Sequence, residues 1–144
     1  MKQIEFTVQG TPKGQPRVRA CIRGKHAGVY DPGTADEWKR AVRDAAKSAM
    51  ASQVVTPFDQ AVKLVVHFAM QRPKSHLDSK GNVKSSAGTF HTSKPDLDNL
   101  VKATKDALTN AGVWTDDSLV VACQSSKGYG WTPGATIRIA EVVL

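Results

Sequence analysis

The sequence predicts an α/β (α+β) fold, a mixed β-sheet with two main helices packed on it, and two periodicities predict it. Apolar residues alternate with polar ones over residues 3–9, 61–70 and 136–143, the period of a half-buried strand. They recur at 3.6-residue spacing near 35–51 and again between 97 and 111, the period of an amphipathic helix. The resulting order, β-β-α-β-α-β-β, places both helices against one sheet, on one face of it. A chain of 144 residues with 40% hydrophobic and 23% charged residues is long enough to bury one core. Neither a repeat nor a linker interrupts it, so residues 1–144 are expected to form a single compact domain.

Each element has a local cause. Ile4, Phe6 and Val8 face one way in the first strand. In GTPKGQPRVRACIRG the Gly and Pro residues make a loop; Val18, Ala20 and Ile22 then alternate with Arg17, Arg19 and Arg23, predicting a second strand. Gly10 and Gly14 do not make a P-loop, because no Gly-Lys-Ser/Thr follows. Thr34 and Glu37 have the spacing of a capping box that opens the first helix. Its apolar stripe is Trp38, Ala41, Val42, Ala45, Ala46 and Ala49. Val62, Leu64, Val66, Phe68 and Met70 predict a central strand, with His67 on its other, solvent-facing side. The second helix carries Leu97, Leu100, Val101, Thr104, Leu108 and Ala111, and Gly112 stands where a left-handed cap ends a helix. Residues 118–126 read as a strand led by Leu119 and Val121, GYGWTPG as a turn, and Thr136 to Val143 as the last strand.

Composition narrows the class. No apolar run has the length of a membrane span, and MKQIEFTVQG alternates like a strand instead of forming a signal peptide. The expectation is a cytoplasmic protein without a membrane partner. Cys21 and Cys123 are far apart and outside any Cys-x-x-Cys pattern, which predicts two reduced thiols. His76 and His91 are too isolated to argue a zinc site. Twenty Lys and Arg against thirteen Asp and Glu give +7 and a pI near 9.6, a balance suited to a polyanion. Between Glu5 and Asp31 there is no acid, while Lys13, Arg17, Arg19, Arg23 and Lys25 are all basic. Such a segment either follows a phosphate backbone or defends a sheet edge with charge. Residues 71–95 set Arg72, Lys74, Lys80, Lys84 and Lys94 against Asp78 alone. They read as a flexible basic arm that closes on a nucleic acid.

Against this basic background two acidic pairs stand out, Asp96-x-Asp98 and Asp116-Asp117, at opposite ends of the second helix. Pro95 biases Lys94 away from helical geometry, so the chain is expected to reach Asp96 extended. Two residues apart in an extended segment, Asp96 and Asp98 share a face; inside a helix they diverge by roughly 200°. Lys102 lies one turn beyond Asp98 on the same side. Taken singly, these residues have plain roles: a helix cap, a turn after Trp114, a surface lysine paired with Asp98 or Asp106. Taken together, two or three carboxylates backed by a lysine suit a metal ion and a phosphate. The two pairs meet only if the chain after Gly112 returns beside the helix N-terminus, and the sequence does not force that return.

The stretch KPDLDNLVKATKDALTNAGVWTDD resembles the signature of the RusA family of Holliday-junction resolvases. The shared features are an Asp-Leu-Asp-Asn-Leu core, a Lys four residues after the second Asp, an Asp-Ala-Leu, and a Trp followed closely by Asp-Asp. FTVQGTPKGQPRVR and Tyr30-Asp31-Pro32 also resemble phage and prophage members, so the likeness spans most of the chain. It implies a compact homodimer that nicks four-way DNA junctions with Mg²⁺ during recombination and repair. By position it implies Asp96, Asp98 and Asp117 as metal-binding acids and Lys102 as the catalytic lysine. Lys94 joins Lys13, Arg17, Arg19 and Arg23 as expected DNA contacts.

The chemistry agrees with the residue types. Phosphodiester hydrolysis needs an activated water and neutralisation of charge on the phosphoryl oxygens. Aspartates with no nearby Cys favour Mg²⁺, or Mn²⁺ in its place, over Zn²⁺. A lysine by the attacked phosphate stabilises the transition state. Two rivals remain at this level: a non-catalytic basic DNA-binding protein whose acids are only caps, and a nuclease for other branched DNA.

Overall fold

The structure, a computed structural model, describes residues 1–24 and 26–144. Its elements run β1 (Gln3–Gln9), β2 (Arg19–Arg23), β3 (His26–Tyr30), α1 (Asp36–Gln53), β4 (Val62–Gln71), α2 (Leu97–Asn110), β5 (Val120–Gly130) and β6 (Gly134–Glu141). Four strands form a mixed sheet in the order β1-β6-β4-β5, with β4 and β5 parallel and the other pairs antiparallel. The α+β architecture with two helices is the one expected, and β4 is indeed a central strand, flanked by β5 and β6.

One face of the sheet carries the core. Ile4, Phe6 and Val8 of β1, Val62 to Met70 at alternate positions of β4, and Ala135, Ile137 and Ile139 of β6 are all buried there. Both helices pack against this face through the stripes that their periodicity marks. Trp38, Val42, Ala46 and Ala49 are buried on α1; Leu100, Ala103, Thr104, Ala107 and Leu108 are buried on α2. The Trp38 indole donates to Thr104 Oγ1 at 3.3 Å, so the hydroxyl inside the helix interface is paired. His67, on the open face, meets Ser126 Oγ at 2.7 Å through Nδ1. Gly112 has φ +77°, the left-handed geometry foreseen for it just beyond α2. Among the described residues no helix is long and apolar enough to cross a membrane.

Four local expectations are corrected. The basic segment forms a hairpin, β2–β3, in a two-stranded sheet of its own, and Arg17 stays in the loop before it. Arg23 pairs with His26, an antiparallel register that the arginine alternation conceals. The first helix does not open with a capping box: its N-cap is Ala35, with no side-chain cap. Asp31 instead accepts the Gly33 N–H at 2.8 Å, and Gly33 O accepts Asp36 N–H at 3.2 Å, so an Asx turn organises the start. β5 runs through Tyr129 and Gly130, because ladder pairing with β4 outweighs the turn propensity of Gly-Tyr-Gly. Finally, residues 72–95 are not a featureless arm. They hold a 3-10 turn at Lys74–His76, and Asp78 caps a tight turn through Lys80 and Asn82 N–H groups.

Candidate active site

The N-terminus of α2 is built from three segments. The loop after β1 crosses it closely: Gln15 N–H donates to Asn99 O at 2.9 Å. A Cβ on Gly14 would stand 3.1 Å from Asn99 Cβ and 3.3 Å from Pro95 Cβ, so the loop passes at a distance only glycine allows comfortably. From the other side, Lys127 on β5 donates to Ser93 O at 2.8 Å and Pro95 O at 2.9 Å, fixing the chain just before the helix. Asp31 accepts twice, from Gly33 N–H and from Gln15 Nε2 at 3.1 Å. The Gly33 N–H, with a smaller contribution from Gln15, holds the Asp31 carboxyl below the usual carboxylate range. Gln15 is thereby oriented, and its Oε1 is buried without a hydrogen-bond partner among the described residues.

Asp96 is the N-cap of α2, extended at φ −68° and ψ 145° as Pro95 leads one to expect, yet its side chain makes no cap bond. Asp98 lies inside the first helical turn, not in an extended run, so the shared-face argument for the pair does not hold. Asp98 Oδ1 instead accepts the N–H of Asn99 at 3.0 Å, folding back over the helix mouth. Both carboxylates thus gather at the same helix end, where the backbone dipole favours negative charge. Asp96 lines a cleft of about 630 Å³ together with Lys13, Gln15, Arg17 and Lys94. Lys102 is exposed one turn along α2, and among the described residues it makes no ion pair; the pairing of Asp106 is with Lys39, at 3.8 Å.

Other candidates lie elsewhere. Arg19 is exposed on the hairpin, and Arg23 ends β2 with its side chain outside what the structure describes. Lys25 lies outside the described residues. Asp116 accepts Ser118 N–H at 2.8 Å and caps the 3-10 turn Asp117–Leu119. That backbone bond, then the Ser118 hydroxyl, holds its carboxyl below the usual range. Asp116 therefore has the plain turn role, and its neighbour Asp117, exposed as well, is the first residue of that turn.

Asp117 is not among the residues that line the Asp96 cleft. Helix α2 runs antiparallel to β5: Pro95, before its start, is bound to Lys127, while Val113 and Trp114, after its end, pair with Phe58 ahead of β4. Asp117 precedes the first residue of β5 by three positions, and the seven residue steps from Val120 to Lys127 cover roughly 23 Å of extended backbone. Among the described residues no group of three or more His, Cys, Asp or Glu is arranged to hold a metal ion. The structure brings Asp96 together with Lys13, Arg17 and Lys94 in one cleft, sets Asp98 in the first turn of α2 beside it, and leaves Asp117 outside the lining. Gln15 and Lys127 also shape this site. Neither carries a local signal, since their roles depend on which chain segments cross the helix mouth.

Fold and cleft together define a basic α+β protein with an uncommitted carboxylate set among phosphate-seeking cations. The model of the RusA endodeoxyribonuclease family matches residues 9–140, and the chain belongs to that family. It is also similar to the uncharacterized protein YqaN of Bacillus subtilis (strain 168), with 36% identity over 145 residues covering 99% of each chain.

Proposed function

We propose that the chain is a Mg²⁺-dependent endodeoxyribonuclease that resolves four-way DNA junctions as a homodimer, with Mn²⁺ able to substitute, in recombination and repair. The observation carrying this reading is the Asp96 carboxylate, which sits at a helix cap without capping and shares its cleft with Lys13, Arg17 and Lys94. An N-cap aspartate that forgoes its bond leaves both oxygens for another partner. The donor set is all oxygen, with the unpaired Gln15 Oε1 beside it, and suits a hard cation. Asp96 and Asp98 would hold the ion, which when bound supplies an activated water and charge neutralisation at phosphorus.

The protein's own groups do the remainder. Lys13, Arg17 and Lys94 position the strand through its phosphates. Lys102, exposed on the next turn of α2, places an ammonium where charge develops during cleavage. The likeness to the family adds Asp117 as the third acid, and a two-fold dimer offers that carboxylate from either subunit. Labelled four-way junction, flap and linear duplex, each incubated with and without Mg²⁺, test the reading. Paired nicks in the junction alone are expected; cleavage of none of the three with Mg²⁺ or Mn²⁺ overturns it.

A further inference from the structure

A second cavity, of about 330 Å³, opens where β4 and β5 end, lined by Gln71, Arg72, Leu77, Thr89, Tyr129 and Trp131 among others. It lies at the same end of the sheet as the Asp96 cleft: Met70 lines that cleft, and Gln71 lines this one. Its walls are fixed. The Arg72 guanidinium stacks 4.3 Å from the Tyr129 ring centre and donates to Gly88 O at 2.8 Å. His76 and His91 meet the same ring edge-on, at centroid distances of 5.5 and 5.1 Å. Among the described residues no carboxylate pairs with Arg72, so its charge is uncompensated.

Trp131, by contrast, is 79% exposed at the cavity's rim, in the turn between β5 and β6. A large indole left in water contributes nothing to the core, whereas beside a cavity it offers a flat stacking surface. The site therefore combines aromatic faces, a pinned cation, and an amide and hydroxyl able to bond a ligand edge. Cavities that hold small ligands begin near about 300 Å³. A flat heterocycle with polar edges on an anionic backbone fits these walls.

We propose that this cavity takes one unpaired nucleobase, stacked on Trp131 with its phosphate towards Arg72. The proposal rests on the reading of the chain as a nuclease for branched DNA, and adds how branched DNA is told from linear duplex. Drawing a base from a duplex costs a few kcal/mol, and least where the base is already unpaired, as in a single strand or at a perturbed branch point.

The test is equilibrium binding in EDTA, where no cleavage occurs. The DNAs are a four-way junction with 2-aminopurine at the branch point, a single strand carrying the same base, and a linear duplex carrying it mid-helix. On the first two, wild-type protein is expected to change the 2-aminopurine emission, and Trp131→Ala to weaken binding about tenfold or more. Duplex affinity and the salt slope stay as they are, since no charge is removed. Trp131→Phe restores most of the loss. Equal affinities of wild type and Trp131→Ala for all three DNAs overturn the proposal, as does an equal loss on all three. So does a change in self-association with DNA binding intact, which would assign the indole to a second copy of the chain. The two readings fail separately. A Trp131→Ala protein that binds and cuts junctions like wild type removes the base site and leaves the nuclease. A wild type that binds through Trp131 but cuts nothing with Mg²⁺ does the reverse.

Discussion

Asp98 accepts the Asn99 N–H at 3.0 Å, the bond a helix N-cap normally takes, while Asp96 at the cap itself accepts none. The two aspartates thus differ: Asp98 commits one oxygen to the helix mouth, while Asp96 keeps both open. Asp96→Asn should change stability by less than about 0.5 kcal/mol, because no bond is removed. Cleavage by the same variant should fall by roughly 10²-fold or more, with junction binding retained or improved as negative charge leaves the cleft. Asp98→Ala should cost about 1 kcal/mol of stability in addition to activity. Thermal unfolding alongside single-turnover cleavage separates the two; wild-type cleavage by Asp96→Asn would end the metal-site assignment.

Asp117 does not line the Asp96 cleft, and this leads to a complementation experiment. If one active site draws Asp96 and Asp98 from one subunit and Asp117 from the other, an Asp96→Asn/Asp117→Asn mixed dimer contains one intact site and one doubly damaged site. Each variant alone should be inactive, and re-equilibrated equimolar mixtures should recover nicking of one strand, to about a quarter of the wild-type site count by random subunit exchange. Mixtures as inactive as their components, with subunit exchange verified, would place all three acids in a single chain or exclude Asp117.

How far the sequence reaches is visible at the same residues. Periodicity located both helices and β4, because burial of Trp38, Val42, Leu100 and Leu108 is what stabilises those elements and leaves its period in the chain. Asp96 was legible as a candidate through Pro95 and the helix boundary. Its freedom from capping was not, since that depends on which of two neighbouring carboxylates takes one N–H. The β2–β3 hairpin is not legible in the sequence, because only one of its strands shows a clear alternation, while Gly28 interrupts the pattern of its partner. Nor does any local pattern disclose the crossing of Gln15 over Asn99, or the reach of Lys127 to Pro95, which join residues distant in sequence.

The basic residues fall into two groups with different expected salt behaviour. Lys13, Arg17 and Lys94 line the Asp96 cleft, whereas Arg19 is on the outlying hairpin. Removing one side chain that neutralises a phosphate should make the slope of log affinity against log salt shallower by about 0.9 on duplex arms. Lys13→Ala/Arg17→Ala is expected to lower it by nearly two such steps and to reduce cleavage in parallel. Arg19→Ala should lower the slope without altering single-turnover cleavage at saturating protein. An unchanged slope in the double variant would place the cleft away from DNA.

His91 gives a pH dependence of stability. It is buried against Tyr129, and its Nδ1 lacks a partner among the described residues. Burial, followed by the charge of Lys127, holds its pKa below the usual imidazole range. Above about pH 6.5 the ring is neutral in both folded and unfolded chains and favours neither. As pH falls below that value, the unfolded chain binds a proton that the folded one resists, so stability is lost. The slope contributed is at most about 1.4 kcal/mol per pH unit. Denaturant titrations from alkaline to mildly acidic pH should show this loss in the wild type and a shallower loss in His91→Gln. Parallel curves for the two proteins would contradict it.

Lys102 offers the sharpest separation of structure from catalysis. It is exposed, and among the described residues it pairs with neither Asp98 nor Asp106, the partners a solvated surface lysine would take here. Its removal should therefore cost well under about 1 kcal/mol of stability. If its ammonium stabilises charge arising as the phosphodiester breaks, Lys102→Ala should lower single-turnover cleavage by roughly 10²-fold or more while junction affinity changes little. Lys102→Arg asks whether any cation suffices, and only partial recovery is expected, because a planar guanidinium presents its charge over a wider fork than a point ammonium. Lys105, about 300° round the helix from Lys102, is the comparison: half-buried and further from the helix mouth, it should affect stability more than cleavage. Wild-type single-turnover cleavage by Lys102→Ala would return this residue to the solvated surface.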